Sequence, residues 1–311
     1  MPAYLKLYRS GELKERKQVA LSLLDHCEVC PRLCRVNRLN NETGSCRTGR
    51  NAVIASYGAH FGEEAPLVGT HGSGTIFFTN CNLQCIFCQN YSISQLSEGK
   101  ETCNEDLAVI MLYLQHAGCH NINLVSPTHV VPQIIESLEI AIELGLRLPL
   151  VYNTGGYDRV ETLRLLDGIV DIYMPDMKYS NETIAHELSG ITNYPLINQA
   201  AVREMHRQVG DLEINDDGVA VHGLLIRHLV LPGELSGSAQ IFKFISQNIS
   251  INSYLNIMDQ YRPCYKAYNH TQLSRPISDS ELCSAMELAS KYRLERLDKK
   301  FSSTYKIIRS F

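Results

Sequence analysis

The sequence predicts an α/β protein: a partial (β/α)6 barrel of the TIM type, with a small cysteine-rich N-terminal extension and a C-terminal helix. Three observations predict it. Six short, mainly apolar runs recur from Thr75 onward, helical segments separate them, and before residue 73 the pattern gives way to a loop-like stretch rich in Cys, Gly, Asn and Arg. Strands that are mainly apolar on both faces need cover from helices, because neither side of the strand is written for water. In barrels of this kind the chemistry sits on the loops at the C-terminal ends of the strands.

The elements follow in chain order. Residues 1–26 read as a short amphipathic helical lead-in carrying Val19, Leu21, Leu23 and Leu24. Residues 27–72 show little periodicity and end on the run Gly69-Thr70-His71-Gly72. The apolar runs are Thr75–Phe78, Ile122–Val125, Leu148–Tyr152, Ile169–Met174, Leu224–Leu231 and Leu255–Met258. Asn104 is placed to cap a helix through Leu107, Ile110, Met111 and Leu114. A second helix carries Ile134, Ile135, Leu138 and Ile142, with Gly145 placed to end it. Ser278 and Glu281 form a capping box for a last helix over about 279–297. The expected organisation is a helix and metal-binding extension (1–72), a core barrel (73–265), and a C-terminal helix and tail (266–311).

At 311 residues the chain can bury a substantial core, and its formal charge of −4 offers no general basic field for nucleic acid or anionic lipid. The C-terminal stretch leans basic through Lys291, Arg293, Arg296, Lys299, Lys300, Lys306 and Arg309, which a solvated helix face and tail explains. No apolar run approaches the roughly 20 residues that cross a membrane, and the N-terminus lacks the pattern of a secretory signal. The expected location is the cytoplasm. Thiols stay reduced there, so eleven cysteines, seven of them between Cys27 and Cys88, point to metal or catalysis rather than to a disulfide frame.

Cys81, Cys85 and Cys88 form a C-x3-C-x2-C loop directly after the first apolar run. Such a loop can turn three thiolates toward one point, and three thiolates leave one iron of a [4Fe–4S] cubane without a protein ligand. An open coordination position is what a catalytic centre needs and a structural one does not. The competing reading is a zinc knuckle that borrows a fourth ligand; zinc loops favour paired C-x2-C units, which this loop is not.

With Phe87 just before the third cysteine, this segment resembles the radical S-adenosylmethionine (SAM) superfamily, and the likeness runs from about residue 73 to 262. The resemblance implies a partial barrel of the radical SAM kind, with SAM chelating the open iron. It further implies that one electron breaks the sulfonium bond, and that the resulting 5′-deoxyadenosyl radical abstracts hydrogen from a substrate. The chain departs from the family at Ser126-Pro127-Thr128-His129, where a Gly-Gly-Glu motif is usual. Ser126 and Thr128 can accept from the SAM ammonium, but no carboxylate is present there. His129 is a candidate acid or base, weighed against a structural role.

Asn153-Thr154-Gly155-Gly156, Met174-Pro175-Asp176-Met177-Lys178 and Ile226-Arg227 with Pro232-Gly233 resemble the pyruvate formate-lyase activating enzyme branch. That likeness implies Asn153, Thr154, Asp176 and Lys178 around the methionine end of SAM, and Arg227 as a fixed charge near its carboxylate or ribose. Gly155 and Gly156 would admit a ligand close to the backbone, while an ion pair or helix cap is the plainer reading of Asp176 and Lys178. Together with Cys88-Gln89-Asn90-Tyr91, Asn256-Ile257-Met258-Asp259 and the cysteine-rich N-terminus, the pattern is similar to an activating-enzyme-like offshoot whose substrate is not established.

Cys27, Cys30, Cys34 and Cys46 supply a second group, C-x2-C-x3-C-x11-C. Four thiolates suit zinc and a second [4Fe–4S] cluster alike, and a stretch this poor in apolar residues needs such a staple. The leading functional expectation is a radical SAM oxidoreductase acting on a protein or peptide, such as a backbone glycine of a glycyl-radical enzyme. Its electron donor would be a flavodoxin or ferredoxin. The alternatives are a radical SAM enzyme acting on a small molecule or RNA, and a non-catalytic metal-binding protein. The acidic balance weighs against RNA, and the three-cysteine loop with Phe87 against the last.

Overall fold

The computed structural model describes residues 1–298. In chain order the elements are α1 (Tyr4–Ser10), α2 (Glu12–Ser22), β1 (Ala52–His60), α3 (Ala65–Val68), β2 (Ser73–Phe78), α4 (Tyr91–Ser94), β3 (Lys100–Thr102), α5 (Asn104–His116), β4 (Ile122–Val125) and α6 (Val131–Glu143). There follow β5 (Leu150–Thr154), α7 (Val160–Leu165), β6 (Ile172–Pro175), α8 (Glu182–Ser189), α9 (Tyr194–Val209), β7 (Glu213–Ile214), β8 (Ala220–Leu229), α10 (Ser238–Asn248), β9 (Tyr254–Met258) and α11 (Asp279–Lys291). The six expected apolar runs all contribute strands. These are β2, β4, β5, β6, β8 and β9, each parallel to the one before it in that order. β1 runs antiparallel on β2 and carries β3 on its other side, while β7 turns back on β8.

Register explains how one sheet serves two purposes. Ile76, Leu124, Tyr152, Tyr173 and Leu224 stand side by side across five strands and are at most 1% exposed. They belong to the large core made with α2, α5, α6, α9 and α10. Residues one step along point the other way, since side chains alternate along a strand. Phe77, Val125 and Asn153 form that second row, and all three line a cavity. Below it the inner face is filled by a small apolar cluster of Val151, Ile172, Met174, Leu225, Tyr254 and Leu67, the last contributed by α3.

The N-terminal region differs from the expectation in two ways. The lead-in is two helices, broken at Gly11, whose φ of 82° suits a residue without a Cβ. Its buried residues are Tyr4, Leu5, Leu13, Ala20 and Leu24, whereas Val19 is half exposed. The stretch expected to be loop contains the nine-residue β1, of whose positions only two are buried. A one-sided antiparallel strand does not read as a continuous apolar run. The same core joins Tyr4, Leu13, Cys27 and Ala52 to the parallel sheet, so packing is continuous across residue 72.

Smaller differences concern helix ends. Cys103, not Asn104, caps α5, its sulfur accepting from the Asp106 N–H at 3.4 Å. The Ser278–Glu281 capping box is present, but α11 stops at Lys291. Lys299, Lys300, Lys306 and Arg309 of the basic C-terminal stretch lie outside the described residues.

Two buried histidines give the fold an acid sensitivity. His129 is 1% exposed, bonded to the Thr79 carbonyl at 3.0 Å, and burial with the nearby Arg38 charge lowers it to about 3. His228 is fully buried between the Met177 carbonyl (2.7 Å) and the Ser238 hydroxyl (2.9 Å), and burial lowers it to about 4. An unfolded histidine titrates near 6.5, so below that pH the unfolded chain binds more protons than the folded one. The histidine contribution to stability is therefore full above about pH 6.5 and is lost on acidification toward about 4 for His228 and about 3 for His129. Denaturant unfolding between pH 7 and 5 should show this slope, and His228→Gln should flatten it by about one proton, or about 1.4 kcal/mol per pH unit.

Candidate cofactor cavity

At the end of β2 the chain is turned sharply. Asn80 takes φ 70°, unusual for a residue with a side chain. It is held there by its N–H to the Ile93 carbonyl (2.9 Å), its amide to Thr48 Oγ1 (3.3 Å) and the Ser97 hydroxyl on its Oδ1 (2.7 Å). The loop that follows brings Cys81, Cys85 and Cys88 to one side of a cavity of about 610 Å³. Each sulfur has a polar neighbour: the Leu83 N–H donates to Cys81 (3.4 Å), the Ser189 hydroxyl donates to Cys85 (3.0 Å), and the Ser94 hydroxyl sits 3.1 Å from Cys88.

Burial pushes the Cys81 thiol up to about 12 and raises Cys88 as well, their neighbouring thiols adding to it. Thiols so placed ionise readily only beside metal charge. Three soft donors ringed by N–H and O–H groups fit an iron–sulfur cluster, whose thiolates attach to different irons. Phe87, 4% exposed, braces the loop by edge-to-face contacts with Tyr179 (6.3 Å) and Tyr261 (6.0 Å).

The facing wall is polar and comes from the other strand ends. Arg227 on β8 donates through Nε to Asp176 (2.8 Å) and through Nη2 to Asn153 (2.7 Å), and lies 3.8 Å from Glu64. Lys178 closes on Asp176 at 2.5 Å. Burial alone would raise Asp176, but the Arg227 and Lys178 charges outweigh it and hold the carboxyl below the usual range. Lys178 and Arg227 are raised because Asp176 more than offsets their burial. Glu64 behaves oppositely. Burial raises it, and the 3.8 Å approach of Arg227 does not compensate.

No family model matches the chain. The uncharacterized protein MJ0674 of Methanocaldococcus jannaschii is 34% identical over 301 residues, covering 94% of this chain and 82% of that one. The chain belongs to the MJ0674 family. A radical SAM methyltransferase from Sphaerobacter thermophilus superposes with a TM-score of 0.50 at 12% identity, over 70% of this chain and 64% of that enzyme. The chain thus spans slightly less than two thirds of that enzyme's length, and this member of the MJ0674 family shares the fold of a radical SAM enzyme. TYW1 with a lysine–pyruvate adduct bound gives a TM-score of 0.42 at 10% identity, over 70% of this chain and 73% of that one.

Of the expected cofactor residues in this member of the MJ0674 family, Phe87, Ser126, Asn153, Thr154, Asp176, Lys178 and Arg227 all line the cavity. Ser126 does so with φ 59°, its N–H held by the Asn153 carbonyl at 2.8 Å. Thr128 is not in the lining. Its hydroxyl lies behind the wall, 2.7 Å from Asp158 and 2.9 Å from Thr154, with Tyr152 completing the cluster. His129 is likewise outside the lining, and its bond to the Thr79 carbonyl gives it a structural place. Gly155 lines the cavity, and both glycines are also required by packing. A Cβ on Gly155 would stand 2.7 Å from Leu83, and one on Gly156, at φ 75°, 2.2 Å from the Asp176 carbonyl. Sequence reasoning missed Glu64 altogether. The acidic pair Glu63-Glu64, separated from Pro66 by Ala65, was its one local signal.

Cys27, Cys30, Cys34 and Cys46 come together in a coil of left-handed turns at Leu33, Arg35 and Arg47. Burial raises the Cys30 thiol to about 12, and the Cys46, Cys27 and Cys34 sulfurs close by add to the shift. Gly44 is required beside them, because a Cβ there would lie 2.6 Å from that of Cys34. The coil is docked on the other cysteine loop. Arg32 donates to the Asn82 carbonyl (2.9 Å), and Arg47 donates to the carbonyls of Ser94 (3.0 Å) and Gln95 (2.6 Å). Ser45 and Arg47 share a second groove with Cys81.

Proposed function

We propose that this protein is a radical SAM enzyme of the activating-enzyme-like kind, with its six parallel strands curled as a partial barrel around the cavity. The observation that carries the reading is the meeting, in one cavity, of three thiols from the first strand end with Asn153, Asp176, Lys178 and Arg227 from the next ones. The curl is supported by Glu64, which follows β1 at one side of the parallel strands and bonds Asn256 on β9 at the other.

Cys81, Cys85 and Cys88 would hold a [4Fe–4S] cluster, and Ser126, Asn153, Thr154, Asp176, Lys178 and Arg227 would receive SAM. Together those groups supply, when bound, one-electron cleavage of the sulfonium and a hydrogen-abstracting radical. The protein's own part is orientation and exclusion of water. Asp176 keeps Arg227 and Lys178 charged and fixed, Asn153 sets the plane of the guanidinium, and Phe87 with Tyr179 and Tyr261 shields the loop. Thr128 contributes through Asp158 and Thr154 rather than by contact.

The reading extends to a protein or peptide substrate and a cytoplasmic setting, with the enzyme taking its electron from a flavodoxin or ferredoxin. A second metal, zinc or iron–sulfur, would sit at Cys27, Cys30, Cys34 and Cys46. Anaerobically reconstituted protein should contain iron and labile sulfide, and on reduction convert SAM to 5′-deoxyadenosine and methionine. Stoichiometric zinc without sulfide, or no binding of SAM, would refute it. Metal analysis of a Cys30→Ser/Cys34→Ser variant should lose one metal site and keep the other.

A further inference from the structure

Two shielded acceptor atoms beside the cavity have no donor. Glu64 Oε2 and Asn256 Oδ1 each lack a hydrogen bond, although the two side chains are joined through Asn256 Nδ2 and Glu64 Oε1 at 2.8 Å. That bond also fixes the amide, because a flipped Asn256 would set its oxygen against the carboxylate. Both residues line the cavity, and they are 5% and 9% exposed. Arg227 does not serve them. It stands 3.8 Å from Glu64, with hydrogen bonds directed at Asp176 and Asn153.

The backbone holds Glu64 in this place. Its carbonyl accepts from the Leu67 N–H at 2.9 Å, and Leu67 is anchored in the inner apolar cluster. The Ala65 N–H is bound by Asp298 Oδ2 at 3.1 Å. The side chain is therefore set into the wall by packing, and buried acceptors without donors are costly unless a ligand brings the donors.

We infer that Glu64 and Asn256 form a subsite for a primary ammonium group. One acceptor belongs to a carboxylate and the other to an amide on the adjacent side chain, so the complementary group is cationic and carries several N–H bonds. A hydroxyl offers one donor and no charge. The lining as a whole favours a cation, with five carboxylates against two Lys or Arg side chains. This carboxylate also lies in the family-departing chain that has none at Ser126-Pro127-Thr128, although it comes from a different element. The ammonium has two chemical sources: the amino group of SAM, or an amine of the substrate.

Two measurements on the reconstituted full-length protein separate them. The first compares binding of SAM and of 5′-methylthioadenosine, which lacks the amino-acid part, to wild type and Glu64→Gln. The second compares thermal stabilisation by ethylammonium, tetramethylammonium and sodium chlorides at equal ionic strength. If SAM supplies the group, Glu64→Gln weakens SAM roughly ten- to a hundredfold and leaves methylthioadenosine unchanged. If the substrate supplies it, SAM binding is unchanged, and ethylammonium stabilises wild type but not the variant.

Asn256→Leu, which keeps the carboxylate and removes the second acceptor, should weaken the same ligand by a smaller factor; it carries the test if Glu64→Gln does not fold. Variants equal to wild type in both measurements overturn the inference, as does equal stabilisation by sodium or tetramethylammonium. Only the first measurement rests on the function proposed above. A wild-type protein that binds no SAM refutes that function and leaves the second measurement to decide the subsite.

Discussion

On the proposed radical SAM reading, Cys85→Ala is expected to reduce 5′-deoxyadenosine formation to background, a loss of at least about a thousandfold, because the chemistry would belong to a cofactor the variant could not hold. Cys85 is the central cysteine of the loop, 7% exposed, with its sulfur on the Ser189 hydroxyl at 3.0 Å. Iron and labile sulfide attributable to the loop should disappear with the activity. The fold should persist. Cys85 belongs to a small apolar cluster outside the main core, and removing one sulfur from such a site costs about 1–2 kcal/mol. Circular dichroism and a thermal melt would check that second half. A Cys85→Ala protein that still cleaves SAM at the wild-type rate would refute the assignment of the loop.

Asp176→Ala should cost about 3–5 kcal/mol of stability, the range seen when one partner of a buried pair is removed and the other charge stays behind. Asp176 is 7% exposed and answers two cations, Arg227 at 2.8 Å and Lys178 at 2.5 Å. Without it the two positive groups face each other in a largely desolvated wall. The pH dependence has a definite sign. The folded carboxyl lies below its unfolded value, so its contribution is complete above about pH 4 and is lost as pH falls through the lower folded value. Urea unfolding of Asp176→Asn should therefore show a flatter acid limb below about pH 4 than wild type. An unchanged stability in Asp176→Ala would mean that the pair contributes nothing net.

Much of the sheet was legible because its signal is local. The Ile122–Val125 run coincides with β4 residue for residue, and each other apolar run overlaps its strand. A strand buried on both faces is mainly apolar, and polar residues such as Asn153 and Asn256 sit where the cavity opens. Helix α6 was equally plain, since Ile134, Ile135, Leu138 and Ile142 repeat at helical spacing and all are buried. By contrast β1 is only partly buried, with Tyr57 and His60 about half in water, and its identity rests on pairing with β2 rather than on its own composition.

The site divides in the same way. The cysteine spacing and the residues at successive strand ends could be read one motif at a time, because parallel strands place their C-terminal ends together whatever the loops contain. The sequence by itself determined the six apolar strands, the three-cysteine loop after the first of them, and the polar residues Asn153, Asp176, Lys178 and Arg227 at the ends of later ones. Only the tertiary structure decided that Thr128 turns behind the wall to Asp158, that the N-terminal cysteines dock on the other loop through Arg32 and Arg47, and that Glu64 enters the cavity to meet Asn256. The reason is physical. Strand burial and metal-ligand spacing are written over a few neighbouring residues, whereas a contact spanning 192 positions exists only once packing of Leu67 into the inner face has carried Glu64 across the sheet.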